Sequence, residues 1–518
     1  MRTRPPKSLG PALAVIALLA GAVPVSAAGL RVALSADPAM IDPITYSELV
    51  ADQVISNMYE TLTTLDAKGE TVPALAESWE PLPGNLGFRF HLRRGVKFHS
   101  GRPFTAADVK FSYEQLLLPG QKGGLNATYL DIVVGADKVK SGASTSLEGV
   151  RIVDDHTVEV VFTKPDVLFP IYPIYIMDSG IVASAGPRWF NTVSAGTGPY
   201  SLVEWKHGQE IRLAADPDYW GGRPAIADLR FLVIPSPETA LAMYETDAVD
   251  VVPLNDDQIR QVMKDPKLKA QSIVEPRAQV RYLAMNEALY PPFRDKRVRE
   301  AVCLSLDQQE MIEGLYGGAA IPLNGQIVEG VGGYDASLRP IPFDPKRAAA
   351  LFVEAGHAGG AGMPPLGLTT TGPNKNQHLY FASQLADVLG WKVDVDIVER
   401  GTMLKMMNSS QVAFFAWGWT ADYPDGLNFL QQLWHSGSPY NRGWKNPDFD
   451  ALIDRAAATA DDHARYELYH RAEKILMDDW ATCPLPVTVQ MTLVRKGLQG
   501  IGMNSKGLMP FAKARFVD

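Results

Sequence analysis

The stretch FFAWGWTADYPDG (414–426) places two indoles, three other aromatic rings and two carboxylates in one short run. Read as a strand and its exit, it puts Trp417 and Trp419 on one parity, with Phe414 and Ala416 on the other. One face therefore offers two indoles, which pack side chains, sugar rings or cations over a large area. Asp422 stands just past the strand. A buried carboxylate needs a cation or hydrogen-bond donors. The plainer reading has Asp422 capping backbone N–H groups at the turn into Pro424, with each indole packed in a core. Asp425 reads as a turn residue.

Other combinations offer less chemistry. The nine histidines are spread thinly. The chain has no HExxH pair, no GxxxxGK phosphate loop and no GxSxG elbow. His463 and His470 bracket two turns of one helix and are expected to face solvent. The pairs Asp154/Asp155 and Asp461/Asp462 fall where turns and helix starts want carboxylates. Glycoside hydrolysis needs two carboxyls roughly 5–9 Å apart, and nothing selects such a pair from Asp422, Asp425 and Glu60. The expectation is no catalytic residue, no metal and no cofactor.

The elements that must position these residues can be read from periodicity. SELVADQVISNMYETL (47–62) repeats apolar residues at steps of four, as a helix does. GFRFHLRRGVKF (87–98) alternates like a half-buried hairpin, followed by a helix that Thr105 caps with Asp108 in its first turn. GVRIVDDHTVEVVFTKP (149–165) is a second hairpin. Strands are expected near 29–37, 228–235, 280–286, 366–371, 392–398 and 411–417. Longer helices are expected over 295–314, 344–356, 376–389, 448–458 and 462–479. Strands alternating with helices predict two α/β bodies with mixed sheets, the first carrying a hairpin-rich insertion. At 518 residues the chain exceeds one core.

Arg2, Arg4 and Lys7, the apolar run PALAVIALLAGAVPV (11–25) and the small residues after it read as a signal peptide over 1–28, cleaved near Ala27 or Ala28. No cysteine stands there to carry a lipid anchor. Loss of the three leader cations takes the formal charge from −9 to −12, which disfavours nucleic acid and anionic membranes. Cys303 and Cys483 are the only cysteines. Export permits a disulfide, but two separately buried thiols are expected.

Several blocks resemble the extracytoplasmic solute-binding proteins of bacterial ABC importers, in the oligopeptide/dipeptide/nickel-binding class (family 5). They are NMYETL (57–62), FRFHLRRGVKFHSGRPFTAADVKFSYE (88–114), GTGPYSL (196–202) with DYW (218–220), and YLAMN (282–286) followed by RDKRVREAVCLSLDQQEMIEGLYGG (294–318). FDPKRAAALFVEAG (343–356) and WGWTADYPDG (417–426) complete the set. The resemblance implies a two-lobed periplasmic binding protein fold, type II-like, with an additional inserted α/β domain. Lobe I would be 29–65, 190–283 and 485–518. The inserted domain would be 66–189 and lobe II 284–484, with hinge crossings near 283–286 and 483–486. Arg93, Arg94 and Lys97 of the patterned second block would then face solvent on a scaffold.

In peptide-binding relatives an aspartate in the motif resembling WTADYPD holds the ligand's α-amino group, which implies that role for Asp422. Tyr200 would line the cleft from lobe I, and Tyr59, Glu60 and Asn286 are further ligand-binding candidates by family position, beside Trp417 and Trp419. Dipeptide binders commonly place an arginine after the strand near 366–371. Here TTTGPNKNQHLYF (369–381) has none, and Lys375 lacks the bidentate fork. The expected function is a periplasmic receptor that captures a short peptide or peptide-like amine and delivers it to permease subunits in the inner membrane, acting as a monomer. Receptors for an oligosaccharide, opine or other non-peptide solute are the alternative within the class. A secreted hydrolase using cleft carboxylates is the alternative outside it.

Overall fold

The computed structural model describes residues 29–517 except 47, 67–70, 121–123, 187, 276, 439, 442 and 505; the expected signal peptide lies outside the described residues. A seven-stranded sheet runs in the order Ser272–Glu275, Gln490–Val494, Val251–Pro253, Leu30–Leu34, Asp228–Val233, Glu210–Ala215, Tyr200–Lys206. Leu30–Leu34 is parallel to Asp228–Val233 and to Val251–Pro253, so these three strands end on one edge. A near-continuous apolar run suits a strand covered on both faces, and Leu30–Leu34 is buried at four of its five positions.

A five-stranded sheet has the order Asp394–Val398, Gly367–Thr371, Phe414–Thr420, Gln279–Met285, Thr482–Leu485. Here Gly367–Thr371 is parallel to Asp394–Val398 and to Phe414–Thr420. Helices cover this sheet, among them Lys296–Leu304, Pro345–Glu354 and Lys375–Leu389. A third, antiparallel sheet joins Ala76–Pro81, Gly87–Leu92, Thr157–Val161 and Val150–Asp154. Among the described residues no helix is long and apolar enough to cross a membrane.

The strand Gln279–Met285 pairs on both sides within the second sheet. The chain therefore leaves the first sheet after Glu275 and enters the second at Gln279, several residues before the expected crossing at 283–286. It returns between Leu485 and Gln490. The expected hairpin over 87–98 is instead one strand, Gly87–Leu92, paired with Ala76–Pro81 and Thr157–Val161. Alternation was read correctly, since Phe88, Phe90 and Leu92 share the buried face. Periodicity reports the face and not the partner. Arg93 also departs from the solvent-facing expectation: its Nε donates to Ala74 O at 3.0 Å and its guanidinium lies 4.4 Å from the Trp220 ring centroid. Arg94 and Lys97 are exposed.

The helix expected over 47–62 is short, Leu49–Ile55. Past it, side chains take over the backbone's polar groups. Gln53 exchanges two hydrogen bonds with the Met509 main chain, and Asn57 Oδ1 accepts from Phe511 N at 3.0 Å. These carboxamides tie the end of the chain to its beginning.

Cys303 and Cys483 form a disulfide, with Cα atoms 5.4 Å apart across a sequence separation of 180, against the expectation of two separate thiols. Strand pairing sets Cys483 opposite Leu283, in the same buried cluster as Cys303 of the helix Lys296–Leu304. The bond closes a long loop within lobe II, and chain-entropy reasoning gives such a loop about 5 kcal/mol, with measured values more often about 2–4 kcal/mol. The double substitution Cys303→Ser/Cys483→Ser is expected to lower unfolding stability by roughly 2–5 kcal/mol in denaturant titration. A midpoint equal to that of the oxidised parent would show that the crosslink contributes nothing.

Candidate functional site

The strand Phe414–Thr420 lies in the middle of the second sheet because both neighbours pair with it. Register sets Trp417 opposite Tyr282 and Trp419 opposite Val280. Phe414 and Ala416, on the other face, are buried with the disulfide cluster. Both tryptophans are half-buried. Trp417 lies 6.0 Å by ring centroid from the Arg400 guanidinium. Trp419 packs on Tyr440 at 4.9 Å and donates its indole N–H to Asn428 Oδ1 at 2.8 Å.

Asp422 follows two residues after the strand. Its backbone N–H donates to Asn428 Oδ1 at 3.3 Å. Among the described residues, no main-chain N–H donates to its carboxylate within hydrogen-bonding geometry. The capping work falls to Asp425, which is 3 % exposed. Its Oδ1 accepts from Leu427 N at 2.9 Å and from the Tyr469 hydroxyl at 2.6 Å, and Oδ2 lies 3.3 Å from Arg465. That arrangement starts the helix Leu427–Trp434 and positions Asn428 between Trp419 and Asp422.

What surrounds the Asp422 carboxylate is polar and under-used. The Tyr129 hydroxyl and Asn428 Nδ2 approach it, and both are buried without a completed hydrogen bond. The Tyr46 hydroxyl, also near, is in the same condition. Across from Asp422, Lys506 Nζ pairs with Asp52 at 2.9 Å, and Asp52 Oδ1 accepts from Tyr175 at 2.7 Å. The cluster thus holds two carboxylates and one ammonium. Burial pushes the Asp422 carboxyl above the usual range, with Lys506 pulling the other way. For Lys506 burial opposes the charge, yet Asp52 outweighs it and the ammonium is held more tightly than usual.

Two hollows flank this cluster. One, of 420 Å³, includes Trp419, Asp422, Tyr129, Tyr172 and Tyr423 in its wall. Tyr129 stacks on Tyr172 at 4.6 Å, and Tyr423 packs against both at 6.2 and 5.2 Å. The other, of 300 Å³, sits at the carboxyl ends of the parallel strands of the first sheet, between Leu34, Ile234, Pro253, Lys506 and Arg277.

The remaining expected residues sit elsewhere. Tyr200 is 0 % exposed and its hydroxyl donates to Phe511 O at 3.2 Å, so it packs in the core beside the first sheet and does not line either hollow. The Tyr59 hydroxyl accepts from Ala195 N at 3.2 Å inside a ring cluster with Tyr175 and Trp189. Asn286 Oδ1 accepts from Ala288 and Leu289 N–H groups and caps a turn. Glu60 accepts from Thr197, Tyr219 and Trp220 at 2.7–2.8 Å, while burial pushes its carboxyl up to about 7. It ties the 196–202 loop to the DYW segment. Asp422 and Trp419 are therefore brought together, with Trp417 further along the strand. Tyr129, Asp52, Asn428 and Lys506 are the partners that sequence reading missed. Lys506 meets Asp52 across 454 residues, a distance at which no local pattern carries a signal.

Open α/β folds take ligands beyond the carboxyl ends of their parallel strands, and the 300 Å³ hollow lies at that edge of the first sheet. The fold is that of a two-lobed solute-binding protein. The family model described as bacterial extracellular solute-binding proteins, family 5 Middle, matches residues 70–441, and the chain belongs to that family. Among relatives, the di/tripeptide-binding protein 2 of Pseudomonas aeruginosa is 28 % identical over 541 residues, covering 99 % of each chain. HbpA2 from Haemophilus parasuis superimposes with a TM-score of 0.81 at 23 % identity, over 94 % of this chain and 99 % of that one. Haemophilus influenzae OppA, solved in complex with RPPGFSPFR, gives 0.73 at 25 % identity, over 95 % and 99 %.

Removing one member of a buried ion pair leaves the other charge uncompensated, which costs roughly 3–5 kcal/mol. Lys506→Met is expected to lose that much stability in denaturant titration, and Asp52→Asn/Lys506→Met to recover a good part of it. Additive losses in the double mutant would show that the two groups act independently.

Proposed function

We propose that this chain is the exported substrate-binding component of an ABC importer and that it captures a short peptide, or a peptide-like amine, between its lobes. The signal peptide would be removed near Ala27 or Ala28. The mature monomer would then deliver ligand to permease subunits in the inner membrane, as a receptor and not a catalyst. One observation carries the ligand class: Asp422 is a half-buried carboxylate beside the buried Tyr129 and Tyr46 hydroxyls, in a cluster with one ammonium for two acids. An ammonium group brings the missing positive charge and three donors. Tyr129 and Tyr46 hydroxyls present acceptor lone pairs to the same group. The name of the Pseudomonas relative and the ligand in the OppA complex support a peptide.

Trp419 and the stacked tyrosines give the first side chain of such a ligand an apolar, sequence-tolerant surface. Recognition that rests on the amine and on flat aromatic contact accepts many peptides. Ligand touching both lobes favours the closed arrangement by its extra contacts there.

Calorimetry with short peptides and their N-acetylated forms tests this reading. Acetylation is expected to weaken binding about 100-fold or more, the scale of losing a desolvated charge-assisted pair, and Asp422→Asn to do the same to the free amines. Affinity should also fall on acidification. Binding an ammonium requires ionised Asp422, whose carboxyl titrates above the usual range, so affinity drops as pH falls through that raised value and recovers above it. Equal affinity for acetylated and free peptides would remove Asp422 as the amine partner.

A further inference from the structure

The turn that carries Asp422 is held by a second segment of chain. Gly332 N donates to Pro424 O at 3.0 Å, and Gly332 O accepts from Gly426 N at 2.9 Å. The two segments thus form a short parallel bridge between Gly332 and Asp425. Glycine permits the close approach on the other side. A Cβ on Gly332 would stand 2.6 Å from the Tyr466 hydroxyl, and one on Gly333, whose φ is +87°, would stand 2.5 Å from the Tyr469 ring. Residues 325–333 therefore form a strap laid between the turn 422–426 and the helix Asp462–Asp478. Where it borders a hollow of 940 Å³, the strap has open space beside it and depends on its hydrogen bonds for its position.

One face of that helix supplies the hold. Arg465, Tyr469 and Glu473 follow one another at steps of four, and all three are buried. Arg465 and Tyr469 grip Asp425. His470 Nε2 lies 3.1 Å from Gly333 O. Further along, Glu473 Oε1 accepts from the main-chain N–H groups of Gln326 and Ile327. Gln326 Oε1 in turn accepts from Trp434 Nε1 at 3.3 Å, at the end of the helix that Asp425 starts. The second oxygen of Glu473, Oε2, is buried with no hydrogen-bond partner. The groups that act on its charge are the two N–H donors and Asp335, a like charge. The nearby cations of its own helix are engaged elsewhere: His470 faces Gly333 O, and Lys474 pairs with Asp478. Burial outweighs the donors and pushes the Glu473 carboxyl up to about 7. A neutral carboxyl keeps its carbonyl oxygen on both N–H groups, whereas an ionised one is a core charge with no cation to answer it.

We propose that Glu473 is a positioning residue for the amine site: it pins the strap 325–333, the strap fixes the turn 422–426, and the turn presents Asp422 to the ligand. This rests on the peptide reading above and deepens it. Ionisation of Glu473 draws its carboxylate toward water and frees the strap. The share of molecules with the turn in place then falls, and apparent affinity falls with that share. Glu473 supports the strap while it is neutral and withdraws that support as pH rises through about 7. Asp422 works in the opposite direction, since it must be ionised to hold an ammonium. Binding is therefore confined to a window around neutrality, closed on the acid side by Asp422 and on the alkaline side by Glu473.

Calorimetry of the whole protein with alanine tripeptide from about pH 5.5 to about pH 8.5, beside Glu473→Gln, tests the assignment. The Gln variant keeps the carbonyl acceptor and cannot ionise. The peptide's own amine titrates equally against both proteins, so the ratio of their Kd values, unsubstituted over variant, reads Glu473 alone. That ratio is expected to be near unity below neutrality and to rise to about tenfold by about pH 8, while the acid-side loss set by Asp422 persists in both. Hydrogen exchange read by mass spectrometry on the unsubstituted protein needs no variant to fold. Segments 322–334 and 421–428 are expected to lose protection together as pH rises past neutrality, after correction for the intrinsic exchange rate. A flat Kd ratio overturns the positioning role and leaves the peptide reading standing. So does a 421–428 segment whose protection does not fall with that of 322–334. Failure of the unsubstituted protein to bind the tripeptide at any pH overturns both.

Discussion

A carboxylate partly withdrawn from water needs positive charge nearby, and Asp422, half-buried in the wall of a hollow, is the residue on which that requirement falls. Tyr129 and Asn428 approach its carboxylate and Tyr46 stands by, none of them in full hydrogen-bonding geometry. Lys506 is already committed to Asp52. A fully satisfied network would rigidify the core and leave nothing for a ligand. On the proposed reading, an incomplete one costs stability in the empty protein and returns it when an amine binds. That difference would supply binding energy and would discriminate against ligands without a cation.

The rest of the molecule keeps this incomplete network where two bodies meet. Leu34, Val233 and Pro253 end the parallel strands on one side; Thr371, Val398 and Thr420 end them on the other. The chain crosses twice between the sheets, once before Gln279 and once after Leu485. The disulfide Cys303–Cys483 fixes the strand beside the second crossing to a lobe II helix. Gln53 and Asn57 hold the C-terminal segment that carries Lys506. Rigid bodies with few crossings are what hinge closure needs.

Much of this was legible in the chain. Period-two and period-four patterns found the strand Leu30–Leu34, the Val150–Asp154/Thr157–Val161 hairpin, the capped helix after Thr105 and the long helices of lobe II. The family blocks supplied the two-lobed fold. The failures are of one kind. Partners distant in sequence left no local trace: the Cys303–Cys483 bond, the pairing of Lys506 with Asp52, and Glu473 reaching Gln326 and Ile327. Tyr59, Tyr200 and Asn286 match family positions, yet their polar atoms are used by neighbouring main chain, which only coordinates reveal. The strand Gln279–Met285 joins the second sheet, which its apolar texture alone does not reveal.

The most direct measurement is a crystal structure of the protein with a bound alanine tripeptide. The result predicted is a ligand enclosed between the lobes with its amine nitrogen about 2.7–3.2 Å from the Asp422 carboxylate. A peptide lying outside the crevice, or an amine held elsewhere while Asp422 is satisfied by protein groups alone, would contradict it.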